Sequence, residues 1–144
     1  MVLLFFVSCR TGDPLPPTDF SAPGWRVRQG QAVWKPSQSR PELAGDLLLA
    51  VNTNGNFVIQ FTKTPFALAS AEVVDGRWQI EFGTGQHSWR GPGAPPNRFI
   101  WFQVPGALTG KSAAAPWKFT GRAEDSWRLE NPGTEESLEG QFFQ

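Results

Sequence analysis

Few side chains in this sequence could carry covalent or acid–base chemistry, and their spacing fits no arrangement that would use them. There is one cysteine, Cys9, and one histidine, His87. A single thiol forms neither an intramolecular disulfide nor a thiolate cluster. His87 has no second His or Cys to share a metal, and no Ser or Asp stands at the spacing of a nucleophile–base pair. The carboxylates Glu72, Glu81, Asp125 and Glu130 form no motif that assigns an acid and a base. Gly83 and Gly85, in GTGQHSWRGPG, lack the Lys-Ser/Thr pair and the following helix of a phosphate loop, so that stretch reads as a surface loop. The chemistry the composition favours is burial of apolar surface, with 12 Phe, 7 Trp and no Tyr. A non-enzymatic binding or structural role follows, with no cofactor and no metal.

The elements that must position these aromatics fit in one domain. A chain of 144 residues can bury roughly two-thirds of the surface it exposes unfolded. Its 13 basic and 13 acidic residues balance, so it lacks the basic footprint that captures phosphate backbones, and nucleic acid is not expected as a partner. The 15 Gly and 13 Pro favour a turn-rich β domain.

From Trp25 onward, strands alternate with turn signals. GWRVRQGQAVWKP reads as a first strand alternating around Trp25, Val27 and Val33 and stopping at Pro36. DLLLAVNTNGNFVIQF reads as a hairpin on Asn54-Gly55. A two-residue turn there pairs Val51 with Val58, Ala50 with Ile59 and Leu48 with Phe61. Both faces of that pair are apolar, so each needs a cover. FALASAEVVDGRWQIEF turns at Asp75-Gly76, setting Val73 opposite Trp78, Ala71 opposite Ile80 and Ala69 opposite Phe82. The alternate residues Ser70, Glu72, Arg77, Gln79 and Glu81 form a polar face. Small side chains opposite large ones suit a curved sheet with bulk on its concave side. Phe66 and Leu68 fall on the polar side by parity unless a bulge turns them inward.

PPNRFIWFQVPGALTGKS is the one helical candidate, from Pro95 to about Gly110, with Ile100, Val104, Ala107 and Leu108 at helical spacing. Pro105 must kink it or split it into two short pieces. Phe99, Trp101 and Phe102 make it apolar around most of its circumference, so it should be buried against the sheet. Strands return around Trp117 and Phe119 and around Trp127 and Leu129. A turn at Pro132-Gly133 would set Trp127 opposite Leu138. The expected architecture is mainly β: a strongly curved antiparallel sheet of six to eight strands, a half-barrel, with one kinked helix in its concave face. Large aromatics on a dry sheet face suit either a packed core or the lining of a cavity, and an exposed row of Trp would instead suit sugar rings.

Residues 1–24 follow a different grammar. Six apolar residues, Val2 to Val7, lead into Ser8 and Cys9, followed by the Pro-rich stretch Asp13 to Pro17. This order resembles the end of a bacterial lipoprotein signal, in which a small residue precedes the cysteine that becomes the lipidated N-terminus. Phe6 stands where such signals usually carry Leu, and no Lys or Arg precedes the apolar run. The resemblance implies a truncated signal peptide over 1–8, an anchor and tether over 9–24 with lipid attached at Cys9, and a domain over 25–144. The alternative is that Val2 to Val7 forms a buried strand and Cys9 is an inert thiol.

The succession GWRVRQGQAVWKP, LLLAVNTNGNFVIQF, a kinked apolar helix ending ALTGKSAAAPWKF, and SWRLENP is similar to the LolA/LolB group of bacterial lipoprotein localisation factors. The helix, Gly110, Pro116 and Trp127 match features of the LolB branch, and Cys9 sits where that branch carries its anchor. The similarity covers Trp25 to about Phe142 through short motifs. It implies a half-barrel whose helical lid encloses a hydrophobic cavity for acyl chains, lined by Phe61, Trp78, Ile80, Phe82, Ile100, Trp101, Val104 and Leu108. It also implies a membrane or cargo contact at Phe66 or Leu68, although the loop at Thr64-Pro65 is short for it. Further implications are a lipid-anchored monomer on the periplasmic face of the outer membrane and, as partners, acyl chains of lipoproteins or lipids and a periplasmic carrier protein. Arg10, rather than Asp, follows the cysteine, which in enterobacterial sorting favours the outer membrane.

Overall fold

Asp75 and Gly76 both adopt positive φ, 51° and 75°, the geometry of a type I′ turn. They join β4 (Phe66–Val74) to β5 (Arg77–Phe82) with Val73 opposite Trp78, Ala71 opposite Ile80 and Ala69 opposite Phe82, as the alternation predicts. The computed structural model describes residues 14–83, 87–111 and 113–143. Cys9, the stretch 1–8 and Gly85 lie outside the described residues.

Around this hairpin the chain forms one nine-stranded antiparallel sheet in the order β6-β5-β4-β3-β2-β1-β9-β8-β7. Its other strands are β1 (Trp25–Lys35), β2 (Leu43–Asn52), β3 (Phe57–Lys63), β6 (His87–Pro92), β7 (Lys118–Gly121), β8 (Ser126–Glu130) and β9 (Ser137–Phe142). That is more strands than the six to eight expected. Part of the difference is β6, which pairs with β5 from Phe82–His87 to Arg77–Pro92, where the sequence reads as loop. Its Gly and Pro content hides an edge strand, a position where a sheet tolerates Pro.

The sheet is curved, as side-chain contacts across it require. In the strand order β1 and β5 are four spacings apart, about 19 Å across a flat sheet. Yet the rings of Trp34 on β1 and Phe82 on β5 stack with centroids 5.9 Å apart. Curling makes room for bulk by placing small residues under large ones. Trp78 lies opposite Gly91, and Trp127 opposite Gly140, where an added methyl would run into the indole. Trp127 therefore faces Gly140, and Leu138 is paired with Leu129 instead. The shift arises because the β8–β9 connection is not a tight Pro-Gly turn. It is a longer loop in which Asn131 N–H donates to the Glu136 carbonyl and the Asn131 side chain accepts from Gly133 and Thr134 N–H.

Two further registers differ from expectation. On β1 the buried residues are Gly30, Ala32 and Trp34, while Val27 is 44% exposed and Val33 also faces out. The β2–β3 loop has three residues, Thr53–Gly55, closed by Asn52 N–H to the Asn56 carbonyl, with Gly55 at φ 93°. That extra residue moves the pairing by one, to Leu47–Phe61, Leu49–Ile59, Val51–Phe57 and Ala50–Val58. A one-residue slip exchanges the faces of a strand, so Leu47 and Leu49, rather than Leu48 and Ala50, join Ile59 and Phe61 inside. Both faces stay apolar here, since Ala50 and Val58 are buried on the outer side. A bulge after Phe61 skips Leu68 in the β3–β4 pairing. Leu68 packs against the core, and Phe66 is left 61% exposed.

The helical candidate is split in two, as Pro105 requires. Ile100–Phe102 forms a 3-10 turn and Val104–Leu108 a short helix, α1, with Pro105 in its first turn. Pro95 and Pro96 precede the helical residues rather than starting them. Ile100, Trp101, Phe102, Val104, Pro105 and Ala107 are all buried against the inner face.

Candidate functional site

The inner face is a continuous aromatic cluster. Trp101 stacks on Phe61 at 5.3 Å and meets Trp34 edge-on at 5.2 Å. Phe102 packs against Phe57 at 6.4 Å, Trp78 at 5.9 Å and Phe99 at 6.0 Å. All eight residues expected to line a cavity share this cluster: Phe61, Ile80, Ile100, Trp101 and Val104 are buried, while Trp78, Phe82 and Leu108 are half-buried against them. They meet one another directly, so in this state side chains occupy the space between sheet and helical segment.

That segment is held to the sheet by packing. Neither helical piece has a side-chain cap, and among the described residues no hydrogen bond joins Ile100–Leu108 to a strand. The indole N–H of Trp101 is buried without an acceptor, as is that of Trp127. An unmet donor in such a site costs about 1–3 kcal/mol. The segment's flanks are tied to each other instead, Trp117 Nε1 donating to the Asn97 carbonyl at 2.6 Å. Asn97 and Trp117 therefore pin the ends of a loop whose described apolar residues cover the inner face.

Beside this cover opens a groove of about 500 Å³, lined by Pro36, Ser37, Asn97, Arg98, Pro116, Asn131, Thr134 and Glu136. Trp34 connects it to the interior: its Nε1 donates to Glu136 Oε2 at 2.9 Å, and its ring reaches Phe82 and Trp101. Burial pushes the Glu136 carboxyl up to about 7, against the opposing effect of the Trp34 hydrogen bond. The sequence reading missed Trp34, Arg98 and Glu136. Trp34 could have been found from the even residues of β1, which bring Ala32 and Trp34 to one face. Arg98 and Glu136 carry no local signal, because they meet only where two loops converge.

A depression of similar size, about 520 Å³, lies among outward-facing Gln31, Asp46, Glu139 and Gln141. Those residues share one face through the pairs Gln31–Asp46 and Gln31–Gln141. It opens on the outer face, whereas the groove at Glu136 reaches the aromatic cluster through Trp34 and is the better candidate site.

The residues with potential for chemistry are dispersed. His87 stacks on exposed Trp89 at 6.3 Å, Glu72 and Glu81 lie on the outer face, and Glu130 accepts from Arg128. Among the described residues no group of three His, Cys, Asp or Glu could hold a metal ion, and no helix is long and apolar enough to cross a membrane. The Trp residues form no exposed row. Trp34, Trp101, Trp117 and Trp127 are buried and Trp25 and Trp78 half-buried, leaving Trp89 at 40% exposure. The chain matches no model of a known protein family and is significantly similar to no curated protein.

Proposed function

We propose that this domain binds acyl chains between its curved sheet and the 97–117 cover, as a half-barrel carrier of the LolA/LolB kind. It would be anchored through lipid on Cys9 at the periplasmic face of the outer membrane, where it accepts lipoproteins or other lipids from a periplasmic carrier. The observation that carries this reading is the cover: it closes an aromatic interior by packing alone, with the Trp101 N–H left without an acceptor. Its buried segment Ile100–Leu108 can part from the strands without breaking any hydrogen bond to them among the described residues. An alkyl chain entering there gains about 0.8 kcal/mol per methylene buried, roughly 8 kcal/mol for ten, against the cost of displacing the packed rings. No catalytic group is needed.

A second reading, an envelope lipoprotein with a solid core and a structural role, is favoured by the direct contact of Trp101 with Phe61 and Trp34. A fluorescent fatty acid and a panel of soluble glycans separate the two. The carrier reading expects saturable binding of the fatty acid and none of the glycans. Binding of neither supports the solid core, and binding of glycans alone supports a carbohydrate-binding module. Intact mass measurement of protein extracted from membranes tests the anchor: acyl mass on a chain beginning at Cys9 supports it, and an unmodified chain retaining residues 1–8 rejects it.

A further inference from the structure

The groove beside the cover has an apolar floor and a cationic rim. At its inner end the Trp34 indole presents its N–H to Glu136, while the ring continues into the interior through Phe82 and Trp101. At its outer end stands exposed Arg98, with its guanidinium carbon 4.7 Å from the Phe99 ring centroid and 5.9 Å from that of Trp89. Among the described residues no carboxylate pairs with Arg98. An arginine resting on aromatic faces with no acidic partner is a cation held in place for an incoming anion.

The acceptors around it are already engaged. The Asn97 carbonyl accepts from Trp117, and Asn131 Oδ1 accepts from Gly133 and Thr134. Glu136 accepts from Trp34, and burial raises its half-buried carboxyl to about 7, so near neutral pH it carries only part of a negative charge beside Arg98. What the groove offers a ligand is positive charge. Its volume of about 500 Å³ lies within the range of small-molecule sites.

We propose that this groove is the headgroup subsite of the interior and takes a single-chain amphiphile with an anionic oxygen headgroup, a carboxylate or phosphate, held by Arg98. The inference rests on the acyl-binding reading above and names the class of lipid that reading leaves open.

Calorimetric titration of the full chain with palmitate, hexadecyl phosphate, hexadecanol and inorganic phosphate tests it. Both anionic amphiphiles should bind more tightly than hexadecanol. Arg98→Gln should weaken them about tenfold, the scale of one charge-assisted contact, and leave hexadecanol unchanged. Arg98→Lys should restore most of the loss. If Arg98→Gln changes all three amphiphiles equally, or none, the headgroup assignment is overturned while acyl binding stands. Inorganic phosphate binding as tightly as hexadecyl phosphate would make the groove a free-anion site and also overturn it. If the native chain binds none of the three amphiphiles, the acyl-binding reading falls and the subsite with it.

Discussion

The two faces of the sheet are built from the same strands but are closed in different ways. The inner face carries Phe61, Ile80, Leu129 and Leu138, all fully buried, under a cover that contributes Ile100, Trp101 and Phe102. The outer face is crossed by residues 14–24, tied down by polar contacts. Leu15 N–H donates to Gln79 Oε1 at 2.9 Å, Thr18 hydrogen-bonds Glu72, and Thr53 N–H donates to the Gly24 carbonyl. Across this path run the paired residues Gln79, Glu72, Val58, Ala50 and Val27. Burial and the neighbouring charge of Glu81 raise the Glu72 carboxyl, with the Thr18 bond opposing. Inside, the cover contributes apolar area and almost no polar ties; outside, the crossing segment adds polar ties to the apolar contacts of half-buried Leu15 and Phe20. A surface held by packing can exchange its partner for another apolar body, which is the property a lipid carrier needs.

The largest expected difference between the faces is in truncation. Trp101→Ala should cost about 3–5 kcal/mol in urea unfolding, whereas Val27→Ala on the outer face should stay within about 0.5 kcal/mol. Comparable losses would erase the contrast. Overpacking should come next: Gly140→Ala pushes a methyl into the Trp127 ring and should cost about 1–3 kcal/mol.

Titration sharpens the comparison at the groove. Glu136 is raised from an ordinary value of 4.5 to about 7, so between those values the folded chain keeps a proton that the unfolded chain releases. Its contribution to stability is full below pH 4.5 and is lost as pH rises through about 7. The loss should be on the order of 1–3 kcal/mol once solvent screening of the half-buried carboxyl is allowed for. Glu136→Gln should remove most of this slope in unfolding measured across pH. A smaller slope of the same sign should remain from Glu72, whose carboxyl is also raised. The smallest effect belongs to the crossing segment. Gln79→Leu takes the acceptor from Leu15 N–H and should cost about 1 kcal/mol, with faster hydrogen exchange at Leu15 as the local readout.

The contrast also explains what could be read from the sequence. The β4–β5 hairpin was legible because Asp75-Gly76 fixes a two-residue turn and strict alternation fixes the faces. Asn54-Gly55 marked its hairpin but not its register, since the three-residue loop depends on Asn52, which bonds across it to Asn56. Trp127 moved for the same reason, through the loop around Asn131. Pro105 split the helical segment as its missing N–H requires. The residues expected to line a cavity came together in one cluster because apolar periodicity records burial. Periodicity does not record whether buried rings fill a space or line it, nor does it bring Arg98, Trp34 and Glu136 to one groove from three separate stretches of chain.

The claim that the inner face yields to an alkyl chain is tested most directly by titrating the protein with a fatty acid brominated in mid-chain and following tryptophan fluorescence. The account predicts saturable quenching at one ligand per chain. Most of that quenching should be lost when Trp34 and Trp101 are replaced by Phe, and retained when Trp25 on the outer face is replaced instead. An absence of saturable quenching in the native chain, or equal loss for inner and outer replacements, would contradict it.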